Sequence, residues 1–353
     1  MTALMMVQLL VSAAAIIGAG TLLARAGDVL AAHTKLGGLW VGSVFLALAT
    51  SLPEIATDIA AVRLGAPDLA AGDLFGSSMA NMVILAIVTL APSGTELFRR
   101  ATLDHALYAA LATLLTAIAA ASLLAGPGPT FARVSMGSWL LLAAYLAGSR
   151  VAFRHSVVAQ QAGRQIEMST TDVIDAADAS GGSPAAPTTD DDARRRALRK
   201  AIAQFVSAAI VLLVGAPMFA RSAEAVAVAT GLGTTFVGTW LVGFSTSLPE
   251  LVTSLAAIRL RAYDLAVGNL FGSNAFNMAV FPLLDAAHAG PPVLSVANPA
   301  HAISAMVAIG LMAIALAALV YRARGRLTLL EPSALLIMLG YLAGLGLVYS
   351  ASR

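Results

Sequence analysis

The chain contains no cysteine, and Lys, Arg, Asp and Glu together make up only 11% of its 353 residues. Without cysteine there can be no disulfide, thiolate metal site, iron–sulfur cluster or Cys nucleophile, which leaves Ser, His and carboxylates to carry any chemistry. Aromatic residues are also scarce at 6%. The 21 Lys and Arg exceed the 19 Asp and Glu by a net charge of only +2. These cations form no basic stripe interleaved with aromatics, so the sequence pI of 9.1 does not indicate nucleic-acid binding. What the chain has in abundance is apolar surface. A hydrophobic content of 59% and a mean hydropathy of +0.84 exceed what a soluble globule carries and place the chain in a lipid bilayer.

A bilayer core about 30 Å thick needs roughly 20 apolar residues per helix. Ten stretches meet this, at 4–24, 36–63, 67–91, 103–124, 131–149, 201–221, 232–259, 263–284, 300–320 and 333–351. The first has no Lys or Arg before it and further spans after it, so it reads as a transmembrane helix rather than a cleaved signal peptide. Between the fifth and sixth lies 154–200, whose SGGSPAAPTTDDDARRR composition cannot bury enough surface to fold and reads as a flexible linker. The expected organisation is a first five-helix unit over 1–153, the linker over 154–200 and a second five-helix unit over 201–353. With the linker on the cytoplasmic side, 17 of the 21 cations fall on that side, and both termini then face outward. Few lysines with abundant Ala and Arg suit a bacterial inner membrane.

Thr50–Met82 aligns with Thr246–Met278 without a gap, each residue 196 positions from its counterpart, and 21 of the 33 positions are identical. Shared Ala and Leu content cannot explain TSLPE, RL, DLA, LFGS and NM recurring in register. Because each unit has five spans, an odd number, the second copy crosses the membrane in the opposite direction to the first. Inverted repeats of this kind occur in secondary transporters, with the substrate site at the midplane between the halves.

Glu54 and Glu250 fall near the middle of the second and seventh spans. An ionised carboxylate at that depth costs from about 3 to more than 10 kcal/mol, so it must meet a hydrated cavity, a partner or an ion. No Lys or Arg lies at comparable depth, which makes a cation the leading partner. Pro53 and Pro249 precede the two glutamates and lack an amide hydrogen, so each span is expected to bend or break there. The carbonyls of Ala47, Thr50, Gly243 and Thr246 would then be free to face the cavity. The third and eighth spans contribute GDLFGSSMANM and GNLFGSNAFNM. In these, a spacing of four places Ser77 over Asn81 and Ser273 over Asn277 on one helix face. Ser and Asn on a single membrane helix usually serve packing; occurring twice beside paired glutamates, they read as ligands. The donor set is entirely oxygen, which suits Ca²⁺ or Na⁺ and not Zn²⁺ or Cu²⁺.

TSLPE followed by the Gly, Ser and Asn motif, present twice in inverted spans, resembles the alpha repeats of the cation/calcium exchanger superfamily. The TSLPEL form is more similar to the prokaryotic sodium/calcium exchangers than to the proton-coupled branch. The resemblance implies an all-α integral membrane fold of ten transmembrane helices, arranged as two inverted five-helix repeats with helices 2, 3, 7 and 8 discontinuous. It also implies that the first and sixth spans slide across the other eight. Carried onto this chain, Glu54 and Glu250 would be central Ca²⁺ ligands helped by Thr50 and Thr246. Ser51, Ser77, Ser247, Ser273, Asn81 and Asn277 would complete flanking Na⁺ sites, and no cofactor is implied. The chain departs from the family pattern at Ala49, Asp73 and Ser78. With Asn at 81 and 277 the two glutamates balance one Ca²⁺ or two Na⁺.

Asp58 lies one helical turn beyond Glu54, where the second copy has Ser254, and reads as a hydrated residue near the mouth or as an outer ligand. Asp73 sits deeper, against the Gly-rich stretch, with no role assigned. His33, His105, His155, His288 and His301 show no metal-ligand spacing and read as solvated or interfacial. Arg63 and Arg259 read as snorkelling anchors of helix ends.

The leading expectation is antiport of Ca²⁺ against Na⁺ by alternating access, with H⁺ or K⁺ coupling as rivals in the same class. A channel would surround one pore with like residues from several subunits, whereas here one chain supplies two inverted copies. An intramembrane enzyme would need a base beside Ser51 or Ser247, and no His or Lys is placed to serve.

Overall fold

The computed structural model describes residues 2–34, 37–91, 94–101, 104–126, 128–155, 190–229, 246–321 and 331–351. Among the described residues a helix falls in each of the ten expected spans, the seventh being described only from Thr246 onward. The helices are α1 (Thr2–His33), α2 (Gly38–Arg63), α3 (Pro67–Val88), α4 (His105–Ala125), α5 (Met136–His155), α6 (Asp190–Ala229), α7 (Leu248–Arg259), α8 (Tyr263–Ala279), α9 (His301–Tyr321) and α10 (Pro332–Ala351). Among the described residues, eight of these are long and apolar enough to cross a bilayer; α7 and α8 are the two shorter ones. The chain is therefore a multi-pass membrane protein. Its one sheet among the described residues is a hairpin of two short strands, β1 (Thr130–Phe131) and β2 (Val134–Ser135), joining α4 to α5.

Burial sorts the helices into a centre and a periphery. In the most apolar windows of α2 and α3, 67% and 72% of residues are buried, against 22% for α5, α6 and α10. The outward faces of the peripheral helices carry large apolar side chains such as Leu10, Val11, Ile210 and Leu342, as contact with lipid requires. α1 and α6 pack along each other, and α6 also lies against α2.

Two expectations about helix breaks need correction. α3 runs from Pro67 to Val88 without interruption; of its two glycines, Gly72 lies against the His301 ring and Gly76 faces open space. In α2 the helix passes straight through Pro53, and the irregularity lies upstream, where Val41–Leu46 is a π-helix and the Ala47 N–H reaches back five residues to the Gly42 carbonyl. Such wide turns often mark functional positions. This one is held by α8: a Cβ at Gly272 would sit 2.3 Å from the Ser43 carbonyl oxygen, so only glycine allows the two backbones to meet. α7 begins at Leu248 with Pro249 in its first turn, a position that needs no amide hydrogen. The eighth span breaks at Val280, after which a short helix, Phe281–Ala287, continues it. The break expected around Gly243 lies outside the described residues.

The last residues of the expected linker are helical. α6 starts at Asp190, where three successive aspartates favour the positive end of the helix and ARRRALRK supplies strong helix formers. Residues 156–189 of that linker lie outside the described residues.

The two halves grip each other through contacts that recur with roles exchanged. Asp264, in the first turn of α8, pairs with His105 at the start of α4, with Oδ1 2.9 Å from Nε2. Asp68, in the first turn of α3, pairs with His301 at the start of α9 at 3.3 Å. Both the aspartates and the histidines are separated by the same 196 residues as the alpha repeats. Each half thus lends a histidine to the other half's aspartate, as a pseudo-two-fold axis demands. The reading of these histidines as loose interfacial residues is corrected: His105 is fully buried, and each is tied across the repeat boundary.

Candidate cation site

Glu54 and Glu250 meet between α2 and α7 at the core of the molecule, both 0% exposed. Ser247 Oγ of the second half donates to Glu54 Oε1 at 3.2 Å, and Ser51 Oγ of the first half donates to Glu250 Oε1 at 3.4 Å. These two bonds are repeat-related, the second evidence of the pseudo-two-fold axis.

α3 and α8 add the remaining polar groups. Ser77 Oγ donates to Glu54 Oε1 at 2.9 Å, and Asn277 Nδ2 approaches Glu54 Oε2 at 3.4 Å. Asn81 does not mirror Asn277. Its amide donates to Asn274 Oδ1 at 2.9 Å, and Asn274 in turn donates to the Ser78 carbonyl at 3.3 Å. Asn274 and Ser78 occupy equivalent repeat positions, so this difference follows directly from one side-chain change.

Thr50 and Thr246 hold the next layer. Thr50 Oγ1 lies 3.1 Å from the Leu46 carbonyl, 3.3 Å from the Ala47 carbonyl and 3.2 Å from Asn269 Oδ1. The Ala47 carbonyl is thus engaged by the hydroxyl one turn on, and not released by Pro53 as expected. Thr246 Oγ1 approaches Asp73 Oδ1 at 3.5 Å. Asn269 Nδ2 donates to Ser254 Oγ at 3.2 Å.

Asp58 is 1% exposed, which overturns its reading as a hydrated residue near the mouth. The α2 turn that carries it packs against α3, so its carboxyl is directed at Asp73 and away from solvent. Asn269, Asn274, Ser254 and Ser78 belong to the network as well. Their positions in the 196-residue register with Asp73 and Asp58 were the signal available to find them.

The arrangement is rich in acceptors. Glu250 Oε2, Asn81 Oδ1, Asn277 Oδ1 and Ser273 Oγ are buried with no hydrogen-bond partner among the described residues. Buried acceptors cost free energy unless a donor or cation meets them. Among the described residues no Lys, Arg or His pairs with either glutamate. Nor do three or more His, Asp or Glu converge as a metal cluster, so neutral hydroxyl and amide oxygens make up most of the donor set. Two carboxylates ringed by neutral oxygens suit a hard cation that is held reversibly.

The profile of the family described as sodium/calcium exchanger protein matches residues 4–151 and 200–348. The inner membrane protein YrbG of Escherichia coli K12 is 27% identical over 284 residues, covering 79% of this chain and 77% of that protein. The sodium/calcium exchanger MaX1 of Methanosarcina acetivorans is 37% identical over 79 residues, 22% of this chain and 23% of that one. In three dimensions, a solved structure of the sodium-calcium exchanger NCX_Mj soaked with 10 mM Na⁺ and zero Ca²⁺ superposes with a TM-score of 0.71. That match covers 98% of this chain and 99% of NCX_Mj at 19% identity, so it speaks for the fold.

Proposed function

The chain belongs to the sodium/calcium exchanger protein family, and from that premise we propose that it exchanges Ca²⁺ for Na⁺ across the membrane at the Glu54–Glu250 site. It is a transporter and not an enzyme. The observation that carries the proposal is the convergence of Ser77 and Ser247, one from each half, on a single oxygen of Glu54. A site shared by the two inverted halves at their pseudo-two-fold axis presents like groups toward both sides of the membrane, which is what alternating access requires.

In this reading Glu54 and Glu250 supply the charge that balances Ca²⁺. Thr50, Thr246, Ser51, Ser247, Ser77, Ser273, Asn81 and Asn277 supply neutral oxygens to Ca²⁺ or to the Na⁺ ions that replace it. Ca²⁺ takes six to eight oxygens, typically at about 2.3–2.6 Å, so neutral groups must contribute. The Ala47 carbonyl would join the set on giving up its bond from the Thr50 hydroxyl, and the Gly243 carbonyl, outside the described residues, would be its counterpart in the second half. Since the two ion species use overlapping oxygens, occupancy by one expels the other, and transport is coupled without a separate linkage.

α1 and α6 form the moving pair. They pack on each other, face lipid over much of their surface and contribute none of the site's side chains. Sliding of this pair across the remaining helices would expose the site to each side in turn. In the same reading 154–200 is cytoplasmic, both termini are outside and residues 1–153 and 201–353 are the opposed halves, an orientation that the distribution of Lys and Arg supports.

Proteoliposomes loaded with Na⁺ test this directly. They should accumulate radioactive Ca²⁺, and Glu54→Gln or Glu250→Gln should abolish uptake. Uptake driven by a pH or K⁺ gradient and indifferent to Na⁺ would overturn the sodium assignment. Uptake that survives both substitutions would overturn the site.

A further inference from the structure

Thr50, Asn269 and Ser254 form a neutral chain in which every link has a donor: the threonine hydroxyl to Asn269 Oδ1 at 3.2 Å, then the Asn269 amide to the Ser254 hydroxyl at 3.2 Å. The residues 196 positions away are Thr246, Asp73 and Asp58. They keep the same order in space: Thr246 Oγ1 lies 3.5 Å from Asp73 Oδ1, and the Asp73 carboxyl adjoins that of Asp58. The fold has therefore built one three-residue frame twice and filled it with different chemistry.

The neutral copy is complete as it stands. In the acidic copy the amide donor and the hydroxyl are both replaced by carboxylates, which as ions only accept. Asp58 is 1% exposed, and its Oδ2 has no partner among the described residues; the same is true of Asp73 Oδ2. No Lys, Arg or His among the described residues pairs with either. Glu54, one turn along α2 from Asp58, and Glu250, facing Asp73 from α7, add further negative charge nearby. With Asp58 buried, Asp73 half-buried and two more carboxyls beside them, the pair has to take up positive charge, as a proton or as a cation.

We infer that Asp58 and Asp73, with the Thr246 hydroxyl, bind one hard cation in addition to the ion held by Glu54 and Glu250. This rests on the exchange reading proposed above and deepens it. The oxygen-only donor set excludes a soft metal and admits Na⁺ or Ca²⁺. Four formal negative charges replace the two that the alpha-repeat glutamates supply alone, so a Ca²⁺ at the centre leaves the aspartate pair still uncompensated. The extra ion therefore binds together with the central one and not in its place. It sits toward the Arg63 end of α2 and the Pro67 end of α3, on one side of the centre only, so the two access routes differ in charge.

The neutral copy also supplies the control. The double variant Asp58→Ser, Asp73→Asn reproduces a frame this same protein already folds, and Asp58→Asn, Asp73→Asn is a closer isostere. Equilibrium binding of ²²Na⁺ and of ⁴⁵Ca²⁺ to purified full-length protein in lipid nanodiscs counts the ions at saturation. The wild type should bind one cation per chain more than either double variant, in whichever isotope fills the pair. Glu54→Gln should lose the central ion and keep this one. Equal counts in the wild type and a monodisperse double variant would overturn the site, showing that the pair holds a proton. Loss of all binding in the double variant would overturn its independence from the centre. Failure of the wild type to bind either ion would instead overturn the exchange reading itself.

Discussion

Ser247 and Glu54 are hydrogen-bonded across the two halves at 3.2 Å, and the pairing of Ser51 with Glu250 at 3.4 Å is the same bond with the halves exchanged. A hydrogen bond to a charged group contributes about 1.5–3 kcal/mol. Ser51→Ala and Ser247→Ala should therefore each weaken apparent Ca²⁺ affinity by roughly tenfold or more. Because the bonds are related by symmetry, the two losses should be of similar size. Concentration dependence of ⁴⁵Ca²⁺ uptake measures both, and an unchanged affinity in either variant would contradict the role given to that serine.

Gly272 and Gly76 are repeat equivalents in unlike surroundings. A Cβ at Gly272 would strike the Ser43 backbone at 2.3 Å, whereas nothing lies within 4 Å of one at Gly76. Backbone cannot step aside as a side chain can. Gly272→Ala should destabilise the protein by about 1–3 kcal/mol or prevent folding, as overpacking does. Gly76→Ala should be neutral or slightly stabilising, by up to about 1 kcal/mol, because alanine restricts the unfolded chain and favours helix. Thermal unfolding in detergent compares the two, and equal sensitivity would mean that α8 does not lie on the π-helical turn.

The two Asp–His clasps differ in exposure. The His105 side chain is fully buried and Asp264 is 35% exposed, while His301 and Asp68 are 22% and 59% exposed. Water screens the second pair more. Double-mutant cycles on unfolding should give His301–Asp68 a coupling of about 0–1 kcal/mol, as for surface pairs. His105–Asp264 should exceed it, at about 1–3 kcal/mol. A larger coupling for the exposed pair would count against burial as the deciding factor.

An ion that binds only the folded chain stabilises it by mass action, by about 2.7 kcal/mol at one hundred times Kd. Ca²⁺ should raise the unfolding temperature of the purified protein, and EDTA should reverse the rise. Glu54→Gln and Glu250→Gln should remove most of the shift. A shift that persisted in both would place the stabilising ion elsewhere.

Much of this could be read before any coordinates, and the reason is particular to the repeat. TSLPE and the Gly, Ser and Asn motif recur without a gap, so the sequence itself displayed which polar residues share a site. Glu54, Glu250, Ser51, Ser247, Ser77 and Asn277 do converge. Among the described residues, eight of the ten spans that hydropathy marks are helices of membrane-crossing length, which lipid imposes. Less legible were features that depend on what a residue packs against. Pro53 looked like a break, yet the irregular turn formed upstream at Val41–Leu46, where α8 presses on α2. Asp58 looked close to a helix end, and only its packing against α3 shows it buried. His105 and His301 look scattered because identity between the halves lapses after Met82 and Met278, although the 196-residue register persists and joins them.

The exchanged clasps bear on how the chain is made. The ribosome delivers Asp68 and His105 to the membrane long before Asp264 and His301 are synthesised. During that interval the nascent first five helices carry two polar groups whose partners do not yet exist. The clasps can therefore close only after the second half has been made, and each then ties an early helix to a late one.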